Sequence, residues 1–310
     1  MMAKFLLVEV GFNHSTRYVA TVTTVTAIIA ILTARPNPEH RIRKPERWAD
    51  FRVFIDMHAF QHAPFAWLTA AICFLFFGFY AVFFNLEEWA AATGLGYKDR
   101  IPGSSMDDVD FDNSVHNDAV RTFYLLSIMN ATSTVGRLSS AYLCDHFGAL
   151  NVHAIVTFVA SLLIFLLWTL ADNVRSAIAF VVLFGVFSGA VIGLPPASVA
   201  YILGPHPAAQ ARLGQWTGMM YSTSAIFALT GPVTAGHLIT EFHQNYVTVQ
   251  CWSGACLLLS ALCMTMAIYS KKRSPAHKWL EDERRRKSSV RPAGRTMVSQ
   301  AESEKDKEGV

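Results

Sequence analysis

Arg137 has the strongest chemical signature in the sequence, because it lies well inside an apolar segment at 121–143. A cation at membrane depth costs on the order of 2.5–3.5 kcal/mol on insertion scales, so such a residue faces a cavity or a partner. A guanidinium can form two parallel hydrogen bonds with a carboxylate, and a dry site strengthens the attraction. Arg137 therefore either binds an anionic solute or pairs with helix carbonyls or with a polar group of another helix.

Other polar and aromatic side chains could face the same cavity as Arg137. Ordinary packing between helices is the alternative use for each of them. We predict a substrate-binding set in which Arg137 is joined by Asn130, Ser133, Thr134, Tyr201, Trp216 and Tyr221.

The sequence lacks the residue patterns of enzymes and metal sites. All five cysteines lie in or beside apolar segments, and none forms a CxxC pair or a zinc-like cluster with histidine. There is no helix-borne zinc motif, phosphate-binding loop or dinucleotide fingerprint. The acidic loop at 85–120 lacks the spacing of a calcium-binding EF-hand, and a solvated loop is the plainer interpretation. We predict no catalytic residue, no metal and no cofactor.

The composition shows what kind of element must hold Arg137. The chain of 310 residues is 52% hydrophobic and only 16% charged, whereas soluble domains carry about 25% charge. The charges crowd into 35–64, 85–121 and 270–310, and the stretches between them are nearly free of charge. This pattern predicts a multi-pass protein of the lipid bilayer. No basic surface interleaved with aromatic residues points to nucleic acid.

We predict an all-α membrane protein with about seven transmembrane helices. A first helix lies in 1–34, a basic cytoplasmic loop occupies 35–64, a six-helix bundle spans 65–270, and a disordered cytoplasmic tail covers 271–310. The first helix is predicted at 16–34, and those of the bundle at 65–84, 121–143, 152–170, 176–203, 215–240 and 248–269.

The distribution of lysine and arginine predicts the orientation of these helices. Segments 35–64 and 270–310 carry far more of them than the segments on the opposite side. Because cytoplasmic loops are enriched in these residues, we expect the N-terminus outside and the C-terminus in the cytoplasm. If 16–34 does not span the membrane, the basic loop and the tail still lie inside.

Glycine and proline occur together in two of the predicted helices. Gly185, Gly189 and Gly193 recur every four residues and so share one helix face, where a neighbouring helix can approach closely. Pro195 and Pro196 follow at once and should bend the helix. A second set, Gly231 and Pro232, lies in the segment 215–240. Each set is either a packing seam with a kink or a gating hinge.

The elbow at residues 141–148, which reads AYLCDHFG, resembles a motif of the major facilitator superfamily, G-x-L-A-D-[RK]-[FY]-G. Asp145, Phe147 and Gly148 match it, whereas Ala141 and His146 depart from it. We predict these three matching residues as a gating motif.

Further segments are similar to the monocarboxylate porter-like family, especially its fungal members. Residues 124–128 with Gly136 and Arg137 resemble the eighth helix, 185–196 the tenth, and 230–232 with Gly236 the eleventh. Residues 10–34 resemble the end of the sixth helix and 35–64 the long central loop. The resemblance therefore implies a C-terminal half whose first five helices are missing from this chain.

The resemblance also implies roles for residues. In the animal carriers an eighth-helix arginine pairs with the substrate carboxylate, and an acidic residue four positions earlier assists proton coupling. Arg137 matches that arginine, but the earlier position is Ser133. The superfamily aspartate, matched by Asp145, caps a neighbouring helix that would here be the absent fifth one.

We therefore expect a secondary-active porter of a small organic solute, such as a monocarboxylate, moved with or without a proton by alternating access. Its membrane would be the plasma or the vacuolar membrane. Half a transporter holds half a site, so this chain should pair with a missing N-terminal half. The alternatives are a membrane fragment that acts only by associating with another transporter half, and an incomplete gene product without a separate role.

Overall fold

The structure, a computed structural model, describes residues 12–33, 56–97, 120–204, 210–243 and 245–273. Most of the predicted basic loop, most of the acidic loop and nearly all of the tail lie outside these residues. Within them the protein is an all-α membrane protein, as the sequence predicts.

Eight α-helices form the described chain. They are α1 (Phe12–Thr33), α2 (Ala63–Ala92), α3 (Thr122–Phe147), α4 (Ala149–Leu163), α5 (Val174–Gly193), α6 (Pro195–Leu203), α7 (Leu213–Glu241) and α8 (Tyr246–Arg273). A 3-10 turn (Met57–Gln61) precedes α2, and a π-helical turn (Ile164–Trp168) extends α4. Strands β1 (Gly96–Tyr97) and β2 (Val120–Arg121) pair in parallel and so bring the two ends of the acidic loop together.

Five helices in the described part are long and apolar enough to cross a membrane. They are α1, α2, α4 with its π-helical turn, α5 and α8. The sequence predicts seven such spans. The other two, α3 and α7, are long enough at 26 and 29 residues, but serine, threonine, asparagine and glycine make them less apolar. Helix α3 also exposes a polar side, which is described below.

The hydrophobic core lies where α2 packs against α7 and α8, and where α4 packs against α5 and α8. Phe65 and Phe79 of α2 and Phe180 and Phe184 of α5 are fully buried there. Trp168 stacks on Phe180 with ring centroids 5.5 Å apart. Helix α3 is attached mainly through α5, and α6 sits against α4 and α7.

Glycines let the backbones of packed helices touch. A Cβ at position 136 of α3 would lie 1.7 Å from the Val186 carbonyl oxygen of α5, and one at Gly189 would lie 2.0 Å from the Ser133 carbonyl oxygen. On the other side of the bundle, a Cβ at Gly231 of α7 would lie 2.4 Å from the Phe77 carbonyl oxygen of α2. Small residues at contact points are typical of membrane helices, because van der Waals packing must hold them together in lipid.

Helix α1 stands apart from this core. All of its residues from Thr16 to Thr33 are exposed, although they are apolar enough to span a membrane. Its threonines satisfy their hydroxyls within the helix; for example, the Thr24 hydroxyl donates to the Ala20 carbonyl at 2.7 Å. This back-bonding explains how a threonine-rich helix can lie in an apolar environment.

The predicted helix 176–203 is broken in the structure. Helix α5 ends at Gly193, Leu194 lies between the two helices, and α6 begins at Pro195. The prolines cause the break because neither can donate the backbone hydrogen bond that would continue α5. Pro232, in contrast, lies inside α7, which continues through it to Glu241.

Candidate functional site

Helix α3 carries Arg137, and its two faces differ in chemistry. Met129, Ser133, Gly136 and Ser140 are buried against the bundle, and Gly136 and Ser133 meet the α5 backbone directly. This close contact fixes the rotation of α3 about its axis. It therefore also fixes which residues of α3 remain uncovered.

One uncovered side of α3, the polar flank, consists of Asn130, Thr134, Arg137 and Asp145, all of which are exposed. Their spacings of four, three and eight residues place them on one side of the helix. No hydrogen bond or ion pair reaches the Arg137 guanidinium from any part of the chain that the structure describes. The base of its side chain lies beside the break that follows α5, because a Cβ at Gly193 would be 3.9 Å from Arg137 Cγ.

The other uncovered side of α3, the apolar flank, consists of Ala131, Val135, Leu138 and Tyr142. Leu138 and Tyr142 are 72% and 68% exposed. A helix surface with this composition needs lipid or another apolar surface against it. Arg137 thus lies on the side of α3 away from the surface best suited to acyl chains.

The four remaining predicted binding residues do not lie together. Ser133 is buried and its hydroxyl donates to the Asn130 carbonyl at 2.7 Å. Trp216 is 5% exposed and packs on Phe65 with ring centroids 4.7 Å apart. Neither side chain belongs to the uncovered surface around Arg137, because both are consumed by packing between helices.

Tyr201 and Tyr221 are half-buried at separate positions. Tyr201 of α6 lies against the elbow, where a Cβ at Gly148 would be 2.9 Å from its ring. It therefore belongs with the gating motif rather than with Arg137. Tyr221 of α7 lies beside α2, with its ring centroid 6.2 Å from that of Phe76, and Phe76 stacks on Tyr80 at 5.5 Å. This aromatic group remains partly open.

The elbow between α3 and α4 consists of one residue, Gly148. Its φ of 83° is in the region that favours glycine, and its N–H donates to the Cys144 carbonyl at 2.9 Å. Asp145 and Phe147 project into the open on α3. Among the residues described, no ion pair or hydrogen bond to the Asp145 carboxylate is present.

Four contacting residues near the elbow were not predicted from the sequence. His153 of α4 is fully buried and hydrogen-bonds Ser198 of α6. Lys271 of α8 donates to the Tyr201 carbonyl, and Gln210 donates to the Gly204 carbonyl at 2.5 Å. The intramembrane histidine could have been found by the same rule that identified Arg137. No sequence pattern marks Lys271, because lysines are ordinary at the end of a membrane helix.

The bundle is thus a set of packed membrane helices with a one-residue elbow and a guanidinium on an open flank. A sequence profile of the Major Facilitator Superfamily matches residues 2–212, which is more than half of the chain. The chain belongs to the Major Facilitator Superfamily. Members of this superfamily are transporters of small solutes and not enzymes.

Fungal members of the superfamily are similar to the chain at modest identity. An aspyridones efflux protein of Emericella nidulans is 27% identical over 209 residues, which are 67% of this chain and 37% of the relative. An MFS-type transporter of Penicillium oxalicum is 25% identical over 262 residues, 84% of this chain and 54% of the relative. One from Gibberella moniliformis is 34% identical over 135 residues, 44% of this chain and 31% of the relative. The matched part is a third to a half of each relative's length.

Proposed function

We propose that this chain forms one half of a secondary-active transporter for a small organic anion, and that Arg137 contacts the anion. The observation that supports this most is the polar flank of α3, where an exposed guanidinium, unpaired among the residues that the structure describes, lies beside Asn130 and Thr134. A cation at membrane depth is retained only where a cavity or partner offsets its desolvation. A carboxylate is the solute group that matches a guanidinium fork most closely.

The open flank is the reason for proposing one half rather than a whole carrier. Transporter sites of this kind lie near the midplane between two helical repeats. Here the polar and apolar flanks of α3 are both uncovered, and so are Ile226, Leu229 and Val233 of α7. A second helical bundle placed against α3 and α7 would cover the apolar residues and enclose the polar flank. A fragment that acts only by associating with another transporter half would use the same surface.

The charge of Arg137 restricts the solute to anions more than the surrounding residues restrict its size. Ser133 occupies the position where the related carriers have an acid, and it is buried against α5. We therefore propose that any proton coupling depends on a residue other than Ser133. A relative named as an efflux protein supports export as one direction, and the same arginine would serve uptake. The membrane we propose is the plasma or vacuolar membrane.

Uptake of labelled monocarboxylates into vesicles tests this proposal. The chain alone should give only background uptake, and co-reconstitution with the N-terminal half of the Penicillium oxalicum relative should raise uptake of anions but not of neutral analogues. Arg137→Gln should remove that uptake. Arg175→Gln is the matched control, because Arg175 is exposed at the start of α5 and should leave uptake unchanged. Uptake by the chain alone would refute the half-transporter proposal, and uptake unaffected by Arg137→Gln would refute the role of the arginine.

A further inference from the structure

Helix α6 is a short segment that the proline break separates from α5. Pro195 and Pro196 have no N–H, so the carbonyls of Val191 and Ile192 lose the donors that a continuous helix would give them. The chain resumes hydrogen bonding when the Ser198 N–H donates to the Leu194 carbonyl at 2.9 Å. Leu194 is therefore the point about which α6 can turn relative to α5.

His153 of α4 contacts the start of α6, directly after this break. Its Nδ1 lies 3.0 Å from the Ser198 hydroxyl, in the first turn of α6. The side chain is fully buried, and Nε2 has no well-formed hydrogen bond in the part of the chain described. This buried contact between α4 and α6 restrains the start of α6.

The far end of α6 is held by a different set of contacts. Gly204, with a φ of 77°, ends the helix. Gln210 donates to the carbonyls of Ala200 at 3.2 Å and of Gly204 at 2.5 Å. Lys271 of α8 donates to the Tyr201 carbonyl, and its Nζ lies 3.3 Å from the centroid of the Tyr201 ring.

Lys271 links α6 to two other elements through Tyr201. The same ring lies against Gly148 of the elbow, so the end of α8, the end of α6 and the turn between α3 and α4 meet at one tyrosine. A cation at the negative end of a helix dipole is favourable, and contact with an aromatic face adds to it. These contacts hold the C-terminal end of α6 in place. Its N-terminal end directly follows the proline break at Leu194.

We propose that α6 is a gate segment, with His153 at its pivot and Lys271 as the latch that holds it against the elbow. Release of the Lys271 contact would let α6 turn about Leu194 and uncover Gly148. Lys271 and His153 are thus positioning residues, which act through α6 and do not contact the solute. This inference rests on the proposed transporter function, but it concerns the motion of this chain alone.

Amide hydrogen exchange of the whole chain in lipid nanodiscs tests the latch without any solute. Lys271→Met should raise exchange of the α6 amides about tenfold, the change expected from losing one charge-assisted hydrogen bond. Exchange in α5 and α4 should stay unchanged. Lys271→Arg should restore slow exchange because it keeps the cation. Lys272→Met is the matched control, since Lys272 is an exposed lysine on the same helical turn.

Ser198→Ala tests the pivot, because it removes the hydroxyl that His153 contacts and alters only one buried atom. We expect faster exchange at the start of α6 and little change in α5. Unchanged exchange of α6 in both Lys271→Met and Ser198→Ala would overturn the proposal. So would a uniform rise across α4, α5 and α8, since both residues would then contribute only to general stability. Because no solute is involved, failure of the latch leaves the uptake result of the proposed function standing, and the reverse also holds.

Discussion

At the scale of single residues, the chemistry of this chain depends on where each polar group is turned. Arg137 and Ser133 are one helical turn apart on α3, yet one is exposed and the other is buried under the α5 backbone. The sequence places both inside the same apolar segment. Only the packing of Gly136 and Gly189 decides that the guanidinium, and not the hydroxyl, belongs to the open surface.

The elbow glycine gives the prediction at this scale. Gly148→Ala should destabilise the bundle, because a φ of 83° disfavours any Cβ and the added atom would meet the Tyr201 ring at 2.9 Å. Backbone strain of this kind costs on the order of 1–3 kcal/mol. The measurement is the midpoint of thermal unfolding in detergent, followed by helical circular dichroism. Gly218→Ala is the control, since a Cβ there meets nothing within 4 Å; equal midpoints for the two variants would contradict this account.

At the scale of elements, the helices are held together where their backbones touch at glycines. We call these contact lines seams. Helix α3 approaches α5 at Gly136, Gly185 and Gly189, and α7 approaches α2 at Gly231. The prediction from sequence named three of these four glycines and did not name Gly136 as a packing residue. Spacing of four residues suggested a shared face, but the partner helix cannot be read from a single segment.

The seam between α3 and α5 should be sensitive to one methyl group. Gly136→Ala forces the helices apart, because the new Cβ would overlap the Val186 carbonyl oxygen. Overpacking of this kind typically costs about 1–3 kcal/mol, and we expect a lower unfolding midpoint together with greater protease sensitivity of α3. Gly236→Ala, at a position of α7 with open space, should be neutral or stabilising. A Gly136→Ala variant as stable as the Gly236→Ala variant would show that the seam is looser than described.

The proline break is a second lesson at the element scale. Pro195 and Pro196 predicted a bend in one helix, and the structure has two helices separated by Leu194. The second of them is contacted by His153 and Lys271, which are remote in sequence, and by Gln210, which follows it closely. The position of the break is local chemistry. The contacts that fix its angle come from three other parts of the chain, which no local pattern connects.

At the scale of the whole molecule, the distribution of charge predicts how the chain crosses the membrane. The basic segments 35–64 and 270–310 should lie in the cytoplasm, and the acidic segment 85–120 outside. An epitope at the C-terminus should bind antibody only after cells are permeabilised, whereas one inserted at 104–105 should bind it on intact cells. Binding at the C-terminus of intact cells would contradict this orientation. A tag in the short turn at 171–173 serves as a second outer position.

The predicted orientation depends on whether seven or five helices cross the bilayer. Helices α3 and α7 are less apolar than the other long helices, and both leave a polar or small-residue face uncovered. We expect both to span, because such faces are what a solute pathway between two bundles requires. The test with inserted tags also decides this point, since each missing span would reverse the side of the next segment.

The amino-acid sequence by itself determined that this is an all-α membrane protein with an elbow motif and an arginine at membrane depth. Composition and helix-breaking residues act locally, so they can be read without a fold. The tertiary structure alone decided which side of α3 is open, that Tyr201 and Trp216 pack against the elbow and α2, and that His153 and Lys271 contact α6. Those outcomes depend on the rotation of each helix about its axis, which is set by contacts between segments far apart in the chain.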